Sequence, residues 1–544
     1  MLISIPIPNT KSDIYTTPQI NSDKKTKKND NYEKNDINIE SNKVTAQLLV
    51  NSQLTDYRYL INKNDLMNSS NQLIDYLNTI FQFLLSNYYD DGNSSNENID
   101  INSLITFSKN YILFKNIKLS NLPWDNYQRI SNKINNNSNT TNNEVHWYLY
   151  DEILACINSI SSIYSQLTCD SIQFLLSEDK NSDLSNDNKW KRPSNLVKNS
   201  FVFLKIIGDY NTLAVNNNNN SNSNYNSETN ETINNLHQLN YNINLHYSNF
   251  LIQIIVLIKD IWLIDLNDYQ LNQLPKFNNT YLRILIYINN EFKILKNLLI
   301  STFVPTSSSS QSSLNYSLNS IQIFLNSMLC YYLSINYYYK NSPENQNLGI
   351  SIGLIRYVLL NTLDQDKLIS KFKTTSSISS SLDKKANGDN TKESKFKKLI
   401  NLKKDTSNNN SNNNNNINEN KNNKDSKKSI DIFKETKLNK LINNNLDNYL
   451  KILLIKLINL LKLLNFKFEK ENNNLKFDKI LNNSNEIESN YLFNSNNLPT
   501  GLNIPINFIK FNPTCLSSLN NTQINNNSFN SSLNSNSNSG TNYF

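Results

Sequence analysis

The side chains best able to ligate a metal or act as nucleophiles in this 544-residue chain are three histidines, His146, His237 and His246, and four cysteines, Cys156, Cys169, Cys330 and Cys515. None of the histidines has a second His or Cys at metal-ligand spacing, so each reads as a structural or surface histidine. The cysteines form no CxxC pair, and three of them lie in apolar helical surroundings, where a thiol behaves as a small hydrophobe. That usage fits a reducing, intracellular compartment. Asp151 and Glu152 are neighbours in sequence, and neighbours on a helix do not face each other, so they make no acid–base pair. With only seven glycines, the chain has no GxGxxG, GxxxxGKS/T or GxSxG. Dinucleotide, phosphate-loop and nucleophile-elbow sites therefore lack their usual backbone device. The chain reads as a non-enzyme without metal or cofactor.

Other features exclude further classes. The tyrosines of "YYLSINYYYK" could stack on bases, but proteins that do so interleave aromatics with Arg along a positive groove, which is missing here. They read as a helix face within a core. The net charge of +7 comes from 53 basic and 46 acidic residues, the excess being mostly Lys in polar inserts, and does not point to nucleic acid. "MLISIPIPNT" has no basic n-region and places Pro6 and Pro8 where a signal peptide needs its apolar helix. The most apolar runs are interrupted by Lys259 and Asp260, and by Lys451, Lys456 and Lys462, short of the roughly 20 apolar residues a membrane span needs. A soluble or peripheral protein is expected.

Any site must be positioned by the islands between low-complexity tracts. Asn/Ser-rich or Lys-rich inserts fall at 21–45, 134–143, 216–235, 305–313 and 374–430, with an Asn/Ser-rich tail over 516–544. Such segments bury too little apolar surface to offset their ordering entropy, and are expected as disordered loops within one domain spanning 1–515. Within the islands the period is helical. Leu149, Ile153, Cys156, Ile160, Ile163 and Leu167 recur at spacings of four and three, predicting a helix over Glu144–Cys169. In 449–466, Lys451, Asn459, Lys462 and Asn465 share one side, with Lys456 at its edge. Further helices are predicted over 71–89, 101–117, 194–210, 245–264, 278–303, 315–340 and 348–372. The fold class is all-α, an array of long antiparallel helices.

Two glycines, Gly349 and Gly353, stand four apart inside one such helix, each at a cost of roughly 1 kcal/mol relative to alanine. Their common face predicts a close contact, with the large rings of the 315–340 helix filling the space.

Read in order, the islands resemble Bro-type domains, and in particular the fungal PalC subgroup. "EVHWYLYDEILACINSISSIYSQLT", "NLVKNSFVFLKIIGDYNTLA", "NFLIQIIVLIKDIWLIDLNDYQ", "LPKFNNTYLRILIYI" and "NLGISIGLIRYVLL" resemble successive helices of that domain, and "NNLPTGLNIPINFIKF" resembles the closing stretch of PalC proteins through Leu498, Pro499 and Gly501. The chain departs from the pattern where alanines become Ile, Asn or Ser and where the Arg-Glu after the LPTG turn is absent. The resemblance implies an elongated, curved BRO-type domain with a tetratricopeptide-like core. It also implies an adaptor in fungal ambient-pH signalling. Such an adaptor binds the C-terminal helix of the polymer-forming ESCRT-III subunit and promotes proteolytic activation of the pH-responsive transcription factor. Other components of the pH-sensing complex are implied as partners, with a cytoplasmic location and recruitment through partners to plasma-membrane or endosomal sites. It nominates Leu251 and Ile255, with Phe201 in support, as the patch for that helix. The alternative is a helical scaffold or peripheral membrane protein of endosomal trafficking, laying the 449–467 helix on anionic lipid.

Overall fold

Long amphipathic helices stack side by side, each burying its apolar stripe on its neighbours. The computed structural model describes residues 7–11, 53–90, 99–128, 144–177, 187–218, 228–266, 274, 278–303, 311–340, 347–364, 448–492 and 498–517. A short helix over 53–62 leads into α1 (Leu66–Asp90) and α2 (Ile101–Phe107); then come β1 (Ile112–Lys118), β2 (Glu144–Tyr148), α3 (Leu149–Ser177), α4 (Asp187–Asn218) and α5 (Glu228–Leu263). They are followed by α6 (Asn278–Phe303), α7 (Gln311–Tyr339), α8 (Asn347–Asp364), α9 (Asn448–Glu471) and the single turn α10 (Ser484–Ile487). Among the described residues the protein is all-α but for one antiparallel strand pair and an isolated bridge between Thr10 and Trp124.

Side-chain pairs fix the directions of packing. Ser161 meets Ser200 and Tyr150 meets Tyr210, so α3 and α4 run antiparallel. Ser200 meets Ser248 at 2.8 Å and Asn211 meets Gln238 at 3.0 Å, so α4 and α5 do too. Asn278 reaches the Tyr332 carbonyl while Lys296 reaches Asn319, which sets α6 against α7 in the same way. Two apolar cores result. An N-terminal core gathers α1, α2, the strands and the first part of α3; a C-terminal core gathers most of α5 to α9.

Several expectations change. Residues 112–118 and 144–148 are strands and not helix: Val145 and Trp147 point inward while Glu144, His146 and Tyr148 point outward, a period of two that a helix cannot serve. The insert expected over 216–235 ends before Glu228, because α5 starts there and buries Ile233 and Leu236 in the N-terminal core. Likewise 311–313 belong to α7, and Leu516, expected in the tail, is buried. The inserts at 21–45, 134–143 and 374–430, and the tail beyond 517, lie outside the described residues. Of the tyrosine-rich stretch, Tyr331 and Tyr332 are fully buried in the core, Tyr337 and Tyr338 are half-buried against it, and Tyr339 is exposed.

Gly349 and Gly353 are a contact face, but for backbone and not for tyrosine rings. Segment 478–481 lies across them: a Cβ on Gly349 would meet the Lys479 carbonyl, its carbon 2.8 Å away, and one on Gly353 would lie 2.8 Å from Leu481 Cβ. The Leu481 amide donates to the Gly349 carbonyl at 3.3 Å and Asp478 accepts from the Leu348 amide at 3.1 Å. No residue with a side chain fits this seat unless the segment moves.

The main apolar face of helix α9 packs into the core and is not free to lie on lipid. Leu457, Leu460, Leu461 and Leu464 are fully buried, and Lys456 turns inward, its ammonium bonded to the Trp262 carbonyl and lying 4.8 Å from that indole's centre. Among the described residues no helix is long and apolar enough to cross a membrane.

Candidate functional site

Leu251 and Ile255 occupy α5 and Phe201 occupies α4, and all three are core residues, 0%, 2% and 6% exposed. The structure thus corrects their nomination as a surface patch: they cannot present apolar area to a docking helix, because the chain already covers them. Part of the cover over Phe201 is the chain's own closing stretch. From Leu498 to Phe511 the chain is extended, with Leu502, Ile504, Ile506 and Phe508 turned inward and the residues between them outward. Pro499, Pro505 and Pro513 lack the amide a helix would need, which helps keep this strap extended.

The strap crosses the helices in turn. On α6, the Leu502 amide donates to the Arg283 carbonyl at 2.9 Å and Arg283 Nε donates to the Thr500 carbonyl at 3.0 Å, while Gly501 lies against the Tyr287 backbone. On α5, Gln253 donates to Asn503 Oδ1 at 2.9 Å and to the Ile504 carbonyl at 3.2 Å. On α4, Phe508 stacks on Phe201 with ring centres 6.2 Å apart, Phe511 packs on Phe203, and Lys510 pairs with Asp209 at 2.9 Å. The Thr514 amide finally donates to Asn78 of α1 at 3.2 Å, and Leu516 enters the N-terminal core. Of the three nominated residues, Phe201 lies on the floor of this internal seam, whereas Leu251 and Ile255, two positions either side of Gln253, face the opposite side of α5 and the C-terminal core.

A second cluster is chemical in type. Asp151 Oδ1 lies 2.9 Å from His237 Nε2, His237 Nδ1 lies 2.8 Å from the Tyr127 hydroxyl, and Asn158 donates to that hydroxyl at 3.4 Å. Asp151 also accepts the Tyr148 amide at 2.8 Å. Glu152 turns away to accept from Trp147 Nε1 at 2.9 Å, Trp124 Nε1 at 3.1 Å and the Tyr76 hydroxyl at 3.2 Å. The two carboxylates therefore serve separate networks, as adjacent positions must. What sequence spacing missed is the pairing of Asp151 with His237, which lie on different helices 86 residues apart.

An Asp–His–Tyr chain can in principle shuttle a proton, but a nucleophile must reach its substrate. Tyr127 is fully buried and Asp151 and His237 are almost so. Desolvation pushes the Tyr127 phenol well above its usual range and also raises Glu152, outweighing the three hydrogen bonds that favour its carboxylate. In this arrangement both networks fasten β2, α3 and α5 around the segment carrying Trp124 and Tyr127. Among the described residues no three His, Cys, Asp or Glu side chains gather as a metal site would. The four cysteines form no disulfide.

Comparison with known proteins finds neither a curated protein nor a solved structure that matches. One family does match, over residues 147–532, a span that opens at Trp147, includes Asp151, Glu152 and His237, and runs through the strap. With most of its length inside that match, the chain belongs to the family of unknown function designated DUF5355.

Proposed function

We propose that the protein is a non-enzymatic helical adaptor of fungal ambient-pH signalling, which binds the C-terminal amphipathic helix of the polymer-forming ESCRT-III subunit and so promotes proteolytic activation of the pH-responsive transcription factor. The observation that carries this reading is the order of the islands. Of the five stretches that resemble a Bro-type domain, the first runs from β2 into α3, the second lies in α4, the third begins in α5 and ends outside the described residues, the fourth reaches through the first half of α6 and the fifth lies in α8, and the closing stretch forms the strap across α6, α5 and α4. A helix-binding role asks only for a rigid helical face with apolar side chains, and the packed array supplies rigidity. The reading places no weight on Leu251, Ile255 or Phe201. Its cellular corollary is recruitment through partners to plasma-membrane or endosomal sites.

The test is titration of the full-length chain with a peptide of that amphipathic helix. Binding is expected at a Kd of about 1–50 μM, and a peptide whose apolar positions are changed to Asp should not bind. No binding at about 1 mM peptide overturns the reading.

A further inference from the structure

The turn that follows α9 combines features that each oppose stability. Phe477 adopts a φ of 59°, in the left-handed region, where Gly or Asn sits easily and an aromatic residue is an outlier. It is also 76% exposed, and Leu475 beside it is 72% exposed. The fold gains neither a conformational preference nor buried area from these side chains. Strain and exposed apolar surface held in one place are a reason to look outside the molecule for a contact.

The turn is held firmly. The Phe477 amide donates to the Asn472 carbonyl at 2.7 Å, the Asp478 amide donates to Asn472 Oδ1 at 2.8 Å, and Asn472 Nδ2 donates back to the Asp478 carbonyl at 2.9 Å. Asn472 itself is buried, and the chain just beyond is clamped on the glycine seat of α8. Leu475 and Phe477 are therefore presented on a fixed convex tip.

The polar surroundings have a sign. Glu469 is paired with Arg356 at 2.8 Å, Glu471 accepts from Tyr338 at 3.1 Å and Asp478 accepts from Leu348, so these three carboxylates are engaged by the neighbouring helices α8 and α7. Lys470 and Lys479 are exposed and Lys476 lies between the two apolar residues. Phe466, 63% exposed, stands four residues before Lys470 on the same face of α9 and extends the apolar surface.

We infer that this tip, Leu475 and Phe477 flanked by Lys470, Lys476 and Lys479, is a contact site for an anionic lipid surface. A convex apolar tip finds no pocket to fill but can enter the soft headgroup boundary, where lysines meet anionic lipid. The inference goes beyond the adaptor reading, since it gives the chain a membrane contact of its own.

The experiment is flotation of the full-length chain with vesicles of phosphatidylcholine containing about 30% phosphatidylserine, against phosphatidylcholine alone. The wild type should float with the anionic vesicles and much less with the neutral ones, and raising the salt should weaken it. Leu475→Ser with Phe477→Asn should lower the vesicle-bound fraction about tenfold at an unchanged melting temperature, since both residues are exposed and Asn suits the left-handed turn. If the double variant melts lower, Leu475→Ser alone is read in its place and should still lose several-fold in binding. A wild type that does not float, or a variant of normal stability that floats as well as the wild type, overturns the site. Binding of the ESCRT-III peptide should be the same in all of these proteins, so each result leaves the adaptor reading to its own test.

Discussion

Around the start of α3 the N-terminal core is closed by directional hydrogen bonds to buried acids, whereas beside α8 the C-terminal core is closed by backbone lying on glycine. The first closure depends on chemistry: Glu152 and Asp151 collect donors from Trp124, Trp147, Tyr76, Tyr148 and His237, and each donor would be stranded without its acceptor. The second depends on volume, since Gly349 and Gly353 leave no room for a Cβ beneath Lys479 and Leu481. The two regions should therefore fail under opposite kinds of substitution, one under loss of a polar group and the other under gain of a carbon.

The largest effect should come from neither closure but from the interior of the C-terminal core. Leu251→Asp puts a carboxylate at a fully buried position, at a cost of more than about 4 kcal/mol, enough to abolish cooperative unfolding. A variant that melts like the wild type would return Leu251 to the surface.

Next in size is Glu152→Ala, which strands three buried donors and should cost about 4 kcal/mol by urea denaturation. Glu152→Gln sharpens the same point. Its carbonyl can accept both indole N–H groups while its amide donates to Tyr76. Burial raises the Glu152 pKa, so its contribution to stability is full below the unfolded carboxyl range and is lost as pH rises through the raised folded value. The Gln variant should gain on the wild type as pH is raised from the unfolded carboxyl range towards the raised folded value. A constant difference over that range would mean that Glu152 does not titrate there.

For the volume-limited closure, Gly353→Leu should destabilise by about 2 kcal/mol although leucine is the better helix former. A stabilised variant would mean that segment 478–481 does not rest on α8. The smallest effect is Lys510→Ala. Its ion pair with Asp209 is exposed, and its loss should change stability by less than about 0.5 kcal/mol. The strap is held by Phe508, Phe511 and Leu516, and a larger loss would shift that weight to charge.

Much of the helical array was legible because its cause is local. Helix α6 falls on its expected bounds, 278–303, and the stripe from Leu149 to Leu167 is buried apart from Leu167, which is half-buried. The strands were not legible. The apolar run over 101–117 fits a helical period as far as Phe107, and what forces extension beyond it is pairing with residues some thirty positions away, Phe114 opposite Trp147 and Ile117 opposite Val145. The glycine pair announced a close approach but not what approaches, since residues 478–481 lie more than a hundred positions on. The nominated patch failed for a related reason: helical spacing puts Leu251 and Ile255 on one face but carries no information on whether another segment covers it. Nor does any spacing rule bring His237 to Asp151.

The strap has a consequence for how the protein is made. Asn78 and Thr514 are separated by 436 residues, yet they are bonded, and Leu516 completes a core built mainly from the first part of the chain. During synthesis the N-terminal helices emerge long before the segment that seals them. Contacts of such sequence separation form slowly, and apolar surface left waiting is open to association with other nascent chains. The protein should lean on chaperones until its closing stretch is released, and a ribosome stalled before Leu516 should hold a nascent chain that proteases cut far more readily than the finished protein.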